Sequence, residues 1–550
     1  MTHELDTATE LGEITFAYHR RTKHRLERYA RGPETLDWDM QPNPFRQYGE
    51  CERISLPFQA LGLNTSFADL YTNEARHPAE PSIESIAALF ELSFGLSAWK
   101  QYGPDRWALR CNPSSGNLHP TEAYLICRNV VGLADGLYHY CSLDHALELR
   151  YRFAPASHPA EPRPAAELRV GLTSIHWREA WKYGERAFRY CQLDLGHAIG
   201  ALRYATAALG WRAQLVEKLD AAALADLLGV ARPEDFSSTE TEEADLLVAL
   251  DPHSHAEPQP DHGQAASTTA SSPQNGEWTG RANLLDRRKF YHWPVIDEVA
   301  EATRGSPLPQ LAAYDSHPAL LSQCGTRAAT VILKRRSAQN FDAKYIMEGA
   351  TFFHLMDSLL NRPSVPWDFW AYIPRIHPVF FVHRVKDVEP GLYILPRHAA
   401  AEGALREELR SDFLWASVAN APAHVPLRKL VGTDCRAVAR TLNCHQAIGR
   451  DSCFAVAMLA EFEEIVRPDP WRYRQLHWEA GLVGQVLYLE AEAAGLRGTG
   501  IGCYFDDVLH ELLGLKTEHF QSLYHFTIGL PLTDERLMTL PAYPGRIDPK

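Results

Sequence analysis

Apolar positions along the chain fall into two periods. Ser82 to Leu96, SIESIAALFELSFGL, places them at helical spacing. Gln192 to Leu209, QLDLGHAIGALRYATAAL, predicts a long helix rich in small residues, and Glu479 to Ala494, EAGLVGQVLYLEAEAA, predicts a second of the same kind. Gly and Ala one turn apart on these two let another helix approach closely, as in a central dimer helix; a plain buried core helix reads the same way. Short aliphatic or aromatic runs predict strands: AYLICRNVV from Ala123, FFVHRV from Phe380, LLVALDP from Leu246 and YHFTIGLP from Tyr524. Helices around an antiparallel or mixed sheet, an α+β pattern, follow from this alternation.

The pattern fails once. His253 to Asn283 is rich in Pro, Ser, Thr, Gly and Gln and almost free of large aliphatics, so it cannot bury enough surface to offset its ordering entropy. It reads as a linker over 253–283 between domains 1–252 and 284–550, or as a long surface loop. The two halves carry similar landmarks in one order. Arg20-Arg21-Thr22 pairs with Arg335-Arg336-Ser337, Leu118-His119-Pro120 with Ile376-His377-Pro378, and Gly136-Leu137-Tyr138 with Gly391-Leu392-Tyr393; Gly196 and Gly210 then match Gly481 and Gly495. A repeated unit repeats its turns and core faces together, so the set predicts duplication.

Composition narrows the function classes. With 550 residues, 45% hydrophobic and 23% charged, the chain is ordinary globular material. A net charge of −14 argues against general nucleic-acid binding. No run of about 18 uncharged apolar residues predicts a membrane span. The N-terminal MTHELDTATE lacks the order of a secretory signal, and the ten cysteines form neither CxxC nor zinc-finger spacing, so reduced thiols in the cytoplasm and no structural metal are expected.

Chemistry concentrates in Arg110 to Tyr124, RCNPSSGNLHPTEAY. Pro113-Ser114-Ser115-Gly116-Asn117 gathers turn formers and small hydroxyls, a loop that exposes backbone N–H groups to a planar ligand. Arg335 and Arg336 offer two planar forks to a phosphate, and Ser337 can cap a following helix while bonding a phosphate oxygen. Lys182 and Tyr183, just before the first long helix, are the acid–base candidates: a buried Lys can serve as a base, a Tyr can relay a proton, and packing at a helix start is the plain alternative. Arg472-Tyr473 holds that place in the second half. His119 and His377 read as loop-fixing residues, and Glu122 as a weaker candidate for a contact to a bound ligand or a substrate amine.

PSSGNLHPTEAYL resembles the flavin-contacting loop of the nitroreductase superfamily, most closely the branch of thiazoline/oxazoline (azoline) dehydrogenases. The likeness extends over most of both halves, through Gly136 to Arg150, Lys182 to Trp211, LKRRSAQNF (Leu333 to Phe341) and Gly481 to Asp507, whereas Gln41 to Pro81 matches nothing. The resemblance implies two fused nitroreductase-like domains forming an intramolecular pseudo-dimer around FMN. It further implies a Lys-Tyr catalytic pair at Lys182 and Tyr183, and cofactor contacts from Pro113 to Asn117, Arg335 to Ser337, and Gly500, Ile501 and Gly502. In dimers of this family each flavin takes its phosphate site and glycine loop from one subunit and its Pro-Ser-Ser loop from the other. Here the second half reads Trp370 to Pro374 where the first has the Ser loop, and the first reads WRAQLVEK after Gly210 where the second has GTGIG. One complete and one degenerate site are therefore expected. The implied reaction is hydride transfer through flavin N5, either dehydrogenating a small or peptidic substrate or reducing nitro compounds or quinones, with NAD(P)H or molecular oxygen as redox partner. A non-catalytic flavin- or partner-binding protein is the remaining alternative, and further oligomerisation is left open.

Overall fold

The computed structural model describes residues 2–72, 77–154, 164–217, 219–236, 239–252, 276–289, 291–305, 317–370 and 372–546, and structural statements refer to these. Most of the expected linker, 253–275, lies outside them. Its last part does not hang free: Glu277–Trp278 pairs with Ala146–Arg152, and Arg281–Ala282 pairs with Tyr48–Gly49, so it is stitched to strands of the first half.

Each half is built on an antiparallel sheet. The first runs, in spatial order, Glu277–Trp278, Ala146–Arg152, Gly136–Cys141, Thr121–Arg128, Glu167–Ser174, Glu243–Asp251, Arg212–Leu215, with Arg53–Ser55 added beside Ala146–Arg152. The second runs Ala416–Ser417, Arg428–Gly432, Gly391–Ile394, Ile376–Val382, Phe454–Glu461, Phe520–Gly529, Arg497–Ile501. No parallel neighbours occur in either described sheet, which removes the mixed-sheet option. The connection pattern is the same twice over, as duplication requires.

The long helices Ala187–Ala208 and Arg472–Ala493 pack on one another at the centre. Their close approach is a glycine effect. A Cβ on Gly196 would overlap the Trp478 carbonyl and lie 2.8 Å from the Gly481 Cα, and one on Gly481 would overlap the Leu193 carbonyl. Phe188 and Tyr473, at matching places, stack with ring centroids 6.4 Å apart. The main apolar cluster runs through both halves and includes residues of both central helices. Each central helix is followed by a glycine at positive φ, Gly210 at 74° and Gly495 at 73°. Each half then has a short helix, Ala221–Leu228 or Asp506–Leu513, that stops at a left-handed glycine, Gly229 or Gly514. The offset relating Gly196 to Gly481 also relates these later pairs.

Two arms cross between the halves. Met538–Leu540, near the C-terminal end, pairs with Leu96–Tyr102 of the first half, and Asp105–Arg110 completes a three-stranded sheet. Tyr543 Oη donates to Ser142 O at 2.7 Å, and Arg546 Nη1 to Leu96 O at 2.7 Å. In the other direction the N-terminal helix Thr2–Arg21 lies on the second half, with Phe16 5.2 Å from Phe462. No described helix is long and apolar enough to cross a membrane.

Candidate active site at the junction of the halves

The Pro-Ser-Ser loop follows the strand Asp105–Arg110 and is held from below by the first central helix. Asp194, buried on that helix, accepts from Ser115 N at 3.0 Å and from Ser115 Oγ at 2.9 Å. Ser114 Oγ accepts from His119 N at 2.8 Å, and Asn117 Nδ2 donates to Ala108 O at 2.9 Å. Gly116, Asn117 and His119 all take positive φ, 58°, 63° and 51°, so the loop is a tight knuckle that presents its backbone outward. His119 fixes the loop, as expected: burial holds its ring neutral, and Nε2 lies 3.2 Å from Ala108 O.

Lys182 and Tyr183 meet this loop. A Cβ on Gly116 would lie 2.5 Å from the Tyr183 hydroxyl and 3.0 Å from Lys182 Nζ, so glycine is what lets both polar groups reach the loop surface. Burial lowers the Lys182 pKa, opposed by the nearby charge of Glu179, and burial pushes the Tyr183 hydroxyl up. Glu179 and Asp194 form a buried pair of carboxyls. Burial and the charge of Asp194 raise Glu179 well above the usual carboxylate range, and burial raises Asp194 to about 7 against the pull of its Ser114 and Ser115 hydrogen bonds. Sequence reasoning missed both acids; the available signal was a lone Asp in the apolar run QLDLGHAIG.

Arg335 and Arg336 come to the same place from the second half. They stand at the C-terminal end of the helix Ala328–Lys334, whose last carbonyls they partly compensate. Arg335 Nη2 donates to Arg110 O at 3.0 Å, just ahead of the Pro-Ser-Ser loop, and Arg336 Nη2 donates to Ser97 O at 2.9 Å. Arg336 Nη1 donates to the carbonyls of Leu333 and Arg335. Neither guanidinium has a carboxylate within 4.0 Å among the described residues, and the buried Arg335 Nε has no partner. Burial and the neighbouring charge of Arg335 pull Arg336 down to about 10. Two cations with only the more distant charge of Glu492 opposite them, and with an orphaned donor, fit a phosphate. Ser337 caps no helix, contrary to expectation: its hydroxyl lies 2.8 Å from Tyr488 Oη, which also accepts from Gly500 N at 2.9 Å.

The glycine loop closes the ring of contacts. Gly498 and Gly500 lie in the strand Arg497–Ile501, and Ala338 N donates to Gly498 O at 3.1 Å, tying the arginine segment to it. A Cβ on Gly502 would overlap the ring of Tyr190, which stands 4.4 Å from the Tyr183 ring. Ile501 turns the other way, into a small apolar cluster with Ala338, Phe341 and Ile448. A run of contacts therefore joins the arginine segment to the Ser loop, from Ser337 through Tyr488, Gly500, Gly502, Tyr190 and Tyr183 to Gly116, with Ile501 outside it.

Several expected equivalences fail. Arg20 and Arg21 are spent on Glu518 and Glu185, and the helix offset carries their helix onto Pro294–Ala302, not onto the segment before Arg335. The counterpart of Ala328–Lys334 is instead the turn Ala68–Tyr71. Phe67 N donates to Thr326 O at 2.8 Å and Ala328 N to Thr65 O at 2.9 Å, a reciprocal pair across the pseudo-two-fold. The His-Pro motifs are out of step by three residues, because Cys127↔Gly136 matches Val382↔Gly391 and places His377 opposite Glu122. Glu122 itself is consumed by Arg178 at 2.5 Å and His139 at 3.1 Å. His377 shares Glu461 with His398, the acid accepting at 3.0 and 2.6 Å; Arg397 N occupies His377 Nδ1, so Nε2 bears the proton and is no metal ligand. The helix offset carries Lys182 to Arg467 and Tyr183 to Pro468, not to Arg472-Tyr473.

The same offset explains the degenerate side. Glu479 takes the place of Asp194 and accepts from Arg375 N at 3.1 Å, so residues 372–375 stand where the Ser loop stands in the first half. Trp370 and Tyr372 are buried there. Arg203, at the place of Tyr488, pairs with Asp368 at 2.7 Å. Rings and an ion pair fill this side. A cavity of about 720 Å³ behind the helix His176–Tyr183, lined by Trp177, Ala180, Trp293 and Arg304 among others, involves none of the sequence-selected residues.

No family model matches the chain. A protein of Methanocaldococcus jannaschii, a nitroreductase by provisional name, is 31% identical over 120 residues, which are 20% of this chain and 60% of that one; the match thus spans less than two thirds of the relative. A crystal structure of a provisional nitroreductase from Anabaena variabilis superposes with a TM-score of 0.65 at 21% identity, covering 94% of this chain and 99% of that one. A microcin synthetase complex from E. coli matches at a TM-score of 0.27 and 17% identity, over 36% of this chain and 70% of that one, a likeness too slight to bear on chemistry. The chain has the nitroreductase fold in two fused copies that form an internal pseudo-dimer, and it is similar to nitroreductase-superfamily proteins.

Proposed function

We propose that the protein is an FMN-dependent oxidoreductase with one composite site per chain, and that it dehydrogenates a small or peptidic substrate of the azoline kind. The observation that carries this is the Arg335–Arg336 pair, buried at Arg335, half-buried at Arg336 and without a carboxylate in contact, set between the Pro-Ser-Ser loop of one half and the glycine strand of the other. That pair would hold the phosphate of FMN, which would supply a flat ring able to accept hydride. Arg335 and Arg336 neutralise the phosphate, with Ser337 beside them. Pro113, Ser114, Ser115, Gly116 and Asn117 supply backbone and hydroxyl contacts from one side; Gly500 and Gly502 border the other side with the Tyr524 and Tyr190 rings against them, and Ile501 anchors that strand in its apolar cluster. Lys182, partly buried and at the loop surface, takes a proton from the substrate, and the Tyr183 hydroxyl orients the departing hydrogen's neighbour. A base beside the ring suits substrate oxidation, which releases a proton with each hydride, and so favours dehydrogenation over nitro or quinone reduction. Bleaching of the flavin by NAD(P)H in anaerobic mixing would point to the reductase reading instead. The deciding measurement is flavin released on denaturation against protein concentration: about one FMN per chain is expected, and a ratio near two, or a colourless protein that takes up no FMN, overturns the proposal.

A further inference from the structure

Two thiols meet at the outer end of the glycine strand. Cys503 directly follows Gly502, and Cys444 stands in the turn after the helix Arg436–Leu442, with its Sγ 2.7 Å from Cys503 Sγ. Both are partly exposed, so small reagents can reach them. Cys444 and His445 take positive φ, 52° and 60°. Left-handed backbone at two successive non-glycine residues is disfavoured and persists where surrounding structure holds it. Here Phe505 N donates to Leu442 O at 2.9 Å and Gln446 Nε2 to Cys503 O at 3.3 Å, pinning the two segments together.

The pair is chemically unequal. His24 Nδ1 accepts from Ala30 N at 2.9 Å, which leaves the ring proton on Nε2, and that N–H is directed at Cys503. Arg186 adds a positive charge nearby, its Nη2 bonded to Gly502 O at 3.2 Å. Tyr29 borders both sulfurs, and Asp506, the acid closest to this group of side chains, is already paired with Arg186 and Arg189. Hydrogen bonds from Cys444 and His24 push the Cys503 thiol down to about 5. The contact with Cys503, with burial, pushes the Cys444 thiol up, and a low thiol pKa beside a second, protonated thiol is the arrangement of an attacking and a resolving cysteine.

We propose that Cys503 and Cys444 form a redox-active dithiol, oxidised to an intramolecular disulfide by low-molecular-weight disulfides such as glutathione disulfide and reduced again by the matching thiol. The Cys503 thiolate attacks one sulfur of the small disulfide, whose S–S bond breaks, and the first small thiolate leaves and takes up a proton. Cys444 then loses its proton and attacks the Cys503 sulfur, expelling the second small thiolate. Two protein thiols thus lose two electrons and two protons, and the small disulfide gains them as two thiols. The new bond would lock the Cys444 turn to the wall that carries Gly502, so the site is built to register thiol oxidation. This inference stands whether or not FMN binds.

The test uses the full chain. After incubation with glutathione disulfide, acid quench and alkylation, a non-reducing peptide map should contain a Cys444–Cys503 cross-link that added glutathione removes. In Cys444→Ser, Cys503 should accumulate as the mixed disulfide with glutathione. Without oxidant, iodoacetamide at mildly acidic pH should modify Cys503 more than about tenfold faster than Cys51 or Cys324, the other partly exposed thiols. Recovery of Cys444 and Cys503 separately alkylated from the oxidised wild-type protein overturns the proposal, and that map needs no variant to fold.

Discussion

Arg335, buried, and Arg336, half-buried, place two like charges side by side, and their backbone carbonyls and the charge of Glu492 do not offset that cost, since burial still lowers both pKa values. A bound phosphate does. Charge-assisted hydrogen bonds contribute about 1.5–3 kcal/mol, so Arg336→Ala should weaken FMN binding roughly ten- to more than a hundredfold in titrations of apoprotein. Arg21, paired with Glu185 on a half-exposed surface, should be indifferent to flavin when replaced by Ala. Lys182→Ala should keep the yellow colour and lose turnover, and Lys182→Arg should fail nearly as badly, because Arg cannot release its proton at neutral pH. In the wild-type protein, turnover should rise with pH through a pKa below that of a free lysine, since burial lowers Lys182. A fully active Lys182→Arg would end the base assignment. Asp194 gives a stability counterpart. Its folded pKa, about 7, lies above the unfolded value, so folding takes up a proton and the wild type loses stability as pH rises from about 4 to about 7. Asp194→Asn lacks that loss, so its melting temperature relative to wild type should climb across this window and level off above it.

The crossing of the two central helices is set by backbone, and single methyl groups should reveal it. Gly481→Ala forces a Cβ into the Leu193 carbonyl, so the helices must separate; overpacking of this sort costs about 1–3 kcal/mol or more. Gly495→Ala has open space around the new Cβ and pays only for positive φ, about 1 kcal/mol. Urea unfolding of both variants should show the larger loss for Gly481→Ala. This contrast also marks what the sequence made legible. Periodic helices, Gly-Leu-Tyr and the glycine offset were readable because duplicated turns need the same backbone: Tyr138 and Tyr393 even make the same hydrogen bond, each hydroxyl donating to the carbonyl of the residue four positions earlier. The Arg-Arg, His-Pro and Arg-Tyr pairings were misread because like side chains were matched without a register to hold them. Buried carboxyls such as Glu179 and Asp194 were invisible because their role depends on what packs above them, which no local pattern encodes.

For the whole molecule the decisive fact is that symmetry holds in the scaffold and fails in the sites. Trp370, Tyr372 and the Arg203–Asp368 pair occupy the side that the first half's Ser loop and the second half's arginines leave incomplete, which is why a single flavin is expected. Fusion itself should be dispensable for assembly: 1–262 and 263–550, co-expressed with a tag on one fragment, should purify together at equal amounts, and recovery of the tagged fragment alone would contradict a shared core. The crossing C-terminal arm carries a further consequence, for the order of events during synthesis. Leu96 N–H is satisfied by Tyr543, and the carbonyls of Leu96 and Ser97 by Arg546. The edge of that hairpin therefore stays bare until residues 538–546 have been made, although Arg336 reaches the Ser97 carbonyl long before. Until residues 538–546 leave the ribosome, the hairpin that leads into the Pro-Ser-Ser loop lacks its third strand, so the composite site should be completed late in synthesis.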